Sequence, residues 1–227
     1  MKKIVVAIIL YFFLNVNSFS HLQHYSSVKY LEYDLFRNND LIGSHKYDFV
    51  INGDNLTVKS VVTFKISKLG IDLYKYFAES TENYENNLFK SFSSKTIQNK
   101  KNKYVNIKLN SDKTKLNIDG SSYKGKADIN FMVGTWWNHE IVKAKAQISA
   151  ISGRIIDQKV VFLGKKQIEL NGKTYEALHF KFLSSDQTLP ENKKLNTDIW
   201  YDAKTLIWLK AQFIKQGNWE YRLKKLN

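Results

Sequence analysis

Between residues 56 and 66 the chain alternates with a period of two. Leu56, Val58, Ser60, Val62, Phe64 and Ile66 share one side, while Thr57, Lys59, Thr63 and Lys65 fill most of the other. Successive strand side chains point to opposite faces, so this pattern predicts a strand with one face buried. The same period runs through residues 30–36 and 41–51, joined by Asn38-Asn39-Asp40 as a first hairpin. Asn52-Gly53 closes the next turn, because Asn-Gly accepts the positive φ of a tight hairpin. Strands follow at 72–81, 88–97, 104–109 and 116–118, with residues 82–87 as a polar turn. Residues 121–134 read as loop with a short strand at 129–133. Residues 141–151 are rich in alanine and lysine and lack glycine, and they are the one helix the pattern predicts. Residues 155–163, 167–170 and 174–183 form a meander in which Asn171-Gly172 is the sharpest hairpin signal. Two aromatic-rich runs flanking Asp202-Ala203-Lys204-Thr205 predict a closing hairpin over residues 196–217, and residues 219–226 a last strand.

A flat sheet with so many strands is unusual, since strand twist accumulates. The fold class expected is therefore mainly β: a single strongly curved antiparallel sheet, or an incomplete β-barrel, with one short helix. No internal repeat or linker divides the chain. Its start, however, reads as a secretory signal over residues 1–20. Met1-Lys2-Lys3 is basic, residues 4–14 are apolar, and Ser18-Phe19-Ser20 offers small residues at the cleavage positions. The apolar run is short for a membrane span, which leaves an uncleaved anchor as the lesser alternative. A soluble periplasmic product is expected, with residues 21–227 forming a single antiparallel β domain large enough to bury a core. The chain has no cysteine, so neither a disulfide nor a lipidated cysteine is available to it.

Charge narrows the partners. The chain carries 35 basic and 21 acidic residues, a formal net charge of +14. Only Arg37, Arg154 and Arg222 are arginine, and bidentate recognition of phosphates and base edges favours arginine. Nucleic acid is not expected as a partner. Peripheral contact with a membrane surface is compatible with the lysine excess.

Candidate chemistry is sparse. His45 follows Gly43 in a strand, where the glycine would let a ligand approach the backbone while His45 supplies a polar contact; the competing reading is a strand histidine fixing a local hydrogen bond. Trp136-Trp137-Asn138-His139-Glu140 mixes aromatic and polar groups as a pocket rim would. The competing reading has Trp137 anchoring a loop and Asn138 capping the helix after it. Trp200, Tyr201 and Trp208 are further candidates for lining a ligand site. His21 with His24 suggests a copper-binding amino terminus, but the segment reads as a tail. A metal site from His45, His139 and His179 has no supporting spacing. No nucleophile elbow or phosphate-cradling glycine loop occurs, so neither a catalytic residue nor a cofactor is expected. Glu79, Glu82 and Glu85 fall near one another in the predicted polar turn and read as a solvated face.

Three passages together carry a likeness. Tyr33-Asp34-Leu35-Phe36-Arg37-Asn38 with Ile42-Gly43-Ser44-His45 resembles the opening of an uncharacterised family of exported bacterial proteins. Residues 62–66 through Leu69-Gly70 to Tyr74-Lys75-Tyr76 are similar to its second strand pair. Trp137-Asn138 and Ile199-Trp200-Tyr201-Asp202 complete the order. The resemblance spans most of residues 21–227 and implies no catalytic residues. The late hairpin also resembles, at the level of fold, the half-barrels of periplasmic lipoprotein carriers, which hold an acyl chain in a concave sheet. The expectation is a periplasmic, non-enzymatic binding protein for a hydrophobic or acyl ligand. The alternatives are a cell-envelope assembly factor acting by protein contacts, and a hydrolase or metal-dependent enzyme using His45 and His139.

Overall fold

The structure, a computed structural model, describes Tyr25 and residues 27–227. The signal-peptide assignment and the reading of His21 and His24 as metal ligands fall outside those residues. Among the described residues there are fifteen strands: β1 (Tyr30–Arg37), β2 (Asp40–Asn52), β3 (Asn55–Lys68), β4 (Ile71–Glu85), β5 (Leu88–Gln98), β6 (Lys101–Leu109), β7 (Lys115–Gly120), β8 (Lys124–Asp128), β9 (Met132–Val133), β10 (Ala146–Ile148), β11 (Ile155–Leu170), β12 (Lys173–Ser184), β13 (Asn196–Asp202), β14 (Trp208–Ile214) and β15 (Asn218–Leu226).

They form one sheet in the order 8-7-6-5-4-3-2-1-15-14-13-12-11-10-9. Every neighbouring pair is consecutive in sequence except at one seam, where β15 pairs antiparallel with β1 and so joins the two ends of the described chain. Lys29 N and Tyr30 N both donate to Asn227 O, at 2.7 and 3.2 Å. Among the described strands only β9 and β10 run parallel. Register shifts in β1/β15, β1/β2, β3/β4, β4/β5, β11/β12 and β13/β14 mark bulges, which bend a sheet and sharpen its twist. The expected strongly curved antiparallel sheet is what forms, and it is not closed into a barrel. Its two margins meet through side chains instead. Phe92, Ile107, Leu116 and Ile118 from β5–β7 pack in one cluster with Val133 and Ile148 from β9 and β10. Ser94 Oγ donates to Ala150 O at 2.6 Å and Ser122 N to Ser152 O at 2.9 Å across the same gap.

The turns follow their sequence signals. Asn38 and Asn39 have φ of 51° and 70°, and Asn171 and Gly172 have 52° and 73°, as two-residue hairpins with a primed turn require. A Cβ at Gly43 would lie 2.0 Å from Thr63 O and 2.5 Å from Phe64 Cβ, so β3 packs directly against this glycine and no larger residue fits there.

Four expectations are corrected. The helix over residues 141–151 is a single 3-10 turn at His139–Lys143, followed by strand β10. Ala146, Gln147 and Ile148 are all buried and paired with β11, and burial of that kind outweighs the few tenths of a kcal/mol per residue of helix propensity. The polar turn at 82–87 is mostly strand, since β4 continues to Glu85 with Glu82 and Tyr84 buried. Residues 124–128, read as loop, are β8. Residues 155–163 and 167–170 are one strand, β11, kinked at Gly164, whose φ is 100°.

Candidate functional site

Residues 134–138 cross the concave face of the sheet as a loop, and three tyrosines hold it. Tyr47 of β2 donates its hydroxyl to Thr135 O at 2.6 Å, and Tyr201 of β13 donates to Trp136 O at 2.9 Å. Tyr25 donates to Trp137 O. Three successive carbonyls are thus each bound by a phenol from a different part of the chain. Burial pushes all three phenols far above their ordinary range, so they remain donors at any physiological pH. Between these anchors Trp136 adopts a left-handed φ of 61°, a conformation that costs a bulky residue roughly 1–3 kcal/mol and persists only where surroundings enforce it.

The two tryptophans of the loop go to different places. Trp137 is 0% exposed and its Nε1 donates to Glu82 Oε2 at 2.9 Å. Glu82 also accepts from the Tyr84 hydroxyl and, at 3.3 Å, from Thr135 Oγ1. Glu82 is only 3% exposed, and burial raises its carboxyl while those hydrogen bonds oppose the rise. It is therefore a buried anchor for the loop and not part of a solvated face. Trp136 turns to the other side and lines a cavity of about 330 Å³ together with His45, Tyr47, Ser60, Tyr76 and Tyr221. That volume is at the low end of ligand pockets, roughly 300–1,000 Å³.

The floor of this cavity is aromatic. His45 lies 4.2 Å from Tyr47, 6.0 Å from Tyr221 and 6.1 Å from Trp208, measured between ring centroids. Trp136 meets Trp208 and Tyr221 edge-on at 5.7 and 6.0 Å. Tyr33 stacks behind Trp208 at 4.1 Å and donates its hydroxyl to Trp208 O at 2.8 Å. Three residues of this lining carry a buried polar atom with no hydrogen-bond partner among the described residues: His45 Nδ1, Thr96 Oγ1 and Trp136 Nε1. The other ring nitrogen of His45 contacts Ser60 Oγ at 3.2 Å. Nearly every buried polar group in a folded protein is paired, so unpaired ones on three residues of one lining single this cavity out as the candidate site.

His45 is a neutral imidazole. Burial lowers it from 6.5 to about 3, so it cannot hold a proton for acid–base work near neutrality. The same shift has a consequence for stability. The unfolded chain takes up this proton first as pH falls, so stability present above pH 6.5 is lost as pH drops toward about 3, at up to ~1.4 kcal/mol per pH unit. His45→Gln is expected to flatten that part of the acid limb, read as urea midpoints against pH. Equal slopes in the two proteins would show that the imidazole is not held neutral by the fold.

The remaining candidates separate. Asn138 caps the 3-10 turn, its Oδ1 accepting from Glu140 N at 3.1 Å, and it lines a second cleft of about 550 Å³ with Glu82, Tyr84 and Phe131. Tyr201 and Trp208 are fully buried behind the cavity. Trp200 alternates with Tyr201 and so faces the opposite side of the sheet, where it stacks on His179 at 4.3 Å. His179 in turn contacts Asp198 Oδ1 at 2.8 Å, and His139 contacts Glu140 at 3.0 Å. Neither His139 nor His179 lines the cavity that holds His45. Among the described residues no three His, Asp or Glu side chains are grouped so as to hold a metal. Tyr47, Tyr221, Arg154 and Lys215 belong to the cavity and were not singled out from the sequence. Alternation in β2, which sets Tyr47 on the same face as His45, was the available signal for the first.

The family model described as a domain of unknown function, DUF6134, matches residues 33–224. No curated protein matches the chain. Among solved structures, the β-barrel-like protein of domain of unknown function DUF1849 from Brucella abortus superposes with a TM-score of 0.61 at 14% identity, covering 88% of this chain and 97% of its own. A putative exported protein with a YmcC-like fold from Bacteroides fragilis covers 87% of this chain and 94% of its own, with a TM-score of 0.37 at 7% identity. The first of these supports the fold. No helix among the described residues is long and apolar enough to cross a membrane.

Proposed function

The chain belongs to the DUF6134 family, described as a domain of unknown function, and we propose its role from the central cavity: a non-enzymatic binding protein that holds a small hydrophobic or acyl ligand against the concave sheet. The basic, apolar and small-residue order of residues 1–20 supports export to the periplasm, with residues 21–227 as the working unit. The observation that carries the reading is the aromatic lining with its unpaired buried polar atoms, His45 Nδ1, Thr96 Oγ1 and Trp136 Nε1. His45 and Trp136 are the proposed ligand contacts. Tyr201 and Trp208 hold them in position, and Trp137 and Asn138 fix the loop that carries Trp136. Trp200 lies outside this proposed site.

Trp136→Ala tests it. Trp136 is only half-buried, and the three tyrosine bonds to the loop are made to backbone carbonyls that the substitution leaves in place. The variant is expected to keep its fold and to retain ligand roughly tenfold less well, a loss of ~1.4 kcal/mol. Native mass spectrometry of protein from a periplasmic extract, followed by lipid extraction, reads the bound mass directly. A wild-type protein with no added mass, and no uptake from supplied lipids, would sink the proposal.

A further inference from the structure

Resting on that binding reading, we infer that the ligand is an amphiphile whose anionic group, a carboxylate or a phosphate, is held at the cavity rim by Arg154 and Lys215. Both side chains line the cavity whose floor is made by His45 and Trp136. Lys194 lines it too, but its ammonium is paired with Glu191. Glu79 is the one carboxylate of the lining.

Unpaired lysines are ordinary in a chain of net charge +14; cations gathered at the rim of an aromatic cavity are not. The protein pairs cations readily elsewhere. Lys210 and Arg222 share Glu220 at 2.7 and 2.8 Å, and Lys224 reaches Asp34 at 3.1 Å. Among the described residues Arg154 instead donates only to the backbone oxygen of Lys193, at 3.2 Å, which leaves most of its guanidinium fork for another acceptor. Lys215 is lowered by loss of hydration first, and then by the positive charges of Arg154 and Lys103. Like charges facing one opening repel, and an anion seated between them removes that repulsion. The geometry therefore has two parts with different chemistry. An apolar tail suits the ring faces of Trp136 and Tyr221, and a charged head suits the rim.

The test is calorimetric titration of the full mature protein with three probes of equal chain length below their micelle concentrations: a saturated fatty acid, the alkyl phosphate, and the uncharged alcohol. At least one anion is expected to bind about tenfold tighter than the alcohol, the scale of one charge-assisted hydrogen bond. The double variant R154Q/K215Q is expected to lose that advantage and to bind the alcohol as before. Its near-ultraviolet spectrum checks that it has folded. Whichever anion is preferred identifies the head group, and either supports the inference. Equal binding of anions and alcohol by the wild type overturns the inference and leaves the binding reading standing, as does an anion preference that survives in the double variant. Binding of none of the three overturns both.

Discussion

Trp137→Ala is expected to cost about 3–5 kcal/mol of stability, the range for truncating a large buried aromatic. The ring is 0% exposed and meets three others edge-on: Tyr25 at 5.0 Å, Phe49 at 5.5 Å and Tyr84 at 5.9 Å. Those partners come from the amino-terminal segment, β2 and β4, so one side chain ties together three parts of the chain that the sheet ladder joins only indirectly. A second loss adds to the cavity. Glu82 would lose the indole N–H, leaving a buried carboxyl with two donors in place of three. Urea unfolding of the two proteins reads the difference, with the slope checked so that the midpoint is a fair measure. A loss below ~1 kcal/mol would show that the loop carrying Trp137 is not part of the cooperative core. The contrast with its neighbour is the useful control: Trp136→Ala should leave stability nearly intact and weaken ligand retention, while Trp137→Ala should lower stability first.

Deleting residues 218–227 is expected to abolish cooperative folding altogether. These residues form β15, which pairs with β14 on one side and β1 on the other. No other strand pair connects β1–β8 with β9–β14 in the ladder. Without it the sheet becomes two pieces, each with a long unpaired edge and half of the aromatic core exposed. Tyr221 and Leu223 leave with the strand, and with them part of the cavity floor and of the packing against Leu35 and Tyr33. Circular dichroism during heating would show no sharp transition. A sharp transition near the wild-type midpoint would mean that the remaining side-chain contacts, chiefly those of the loop at residues 134–138, join the halves without the ladder.

Strand placement was largely legible because most strands bury one face and leave the other wet. The alternation in residues 56–66 is the clearest instance, and Asn171-Gly172 turned where its φ preference said it would. What misled was composition read without its neighbours. Glu82 looked solvated because glutamate usually is, yet Tyr84, Thr135 and Trp137 supply the donors that let it sit in the core. Residues 146–148 looked helical because alanine and lysine favour helix in isolation, and a strand partner decided otherwise. The site was legible only in part. The sequence offers His45 and Trp136 as candidates and both line one cavity, but no local pattern reveals that they come together, since they are 91 residues apart in sequence. Trp137 as loop anchor and Asn138 as cap were one of two readings open there, and three distant phenols on the carbonyls of residues 135–137 are what select it.

An open sheet of this length poses a problem that the margins of this one address. A bare edge strand is a template for another chain. Here the described sheet ends on one side in β8, five residues long with Lys124 and Lys126 in it, and on the other in β9, two residues long. Charge and brevity both disfavour strand addition from outside, and the packing of β5–β7 against β9 and β10 turns the two margins toward each other. The protein is thereby poorly suited to recruiting partners, or copies of itself, by lending them an edge. On the binding role proposed above, the contact that remains to it is the one through its concave face.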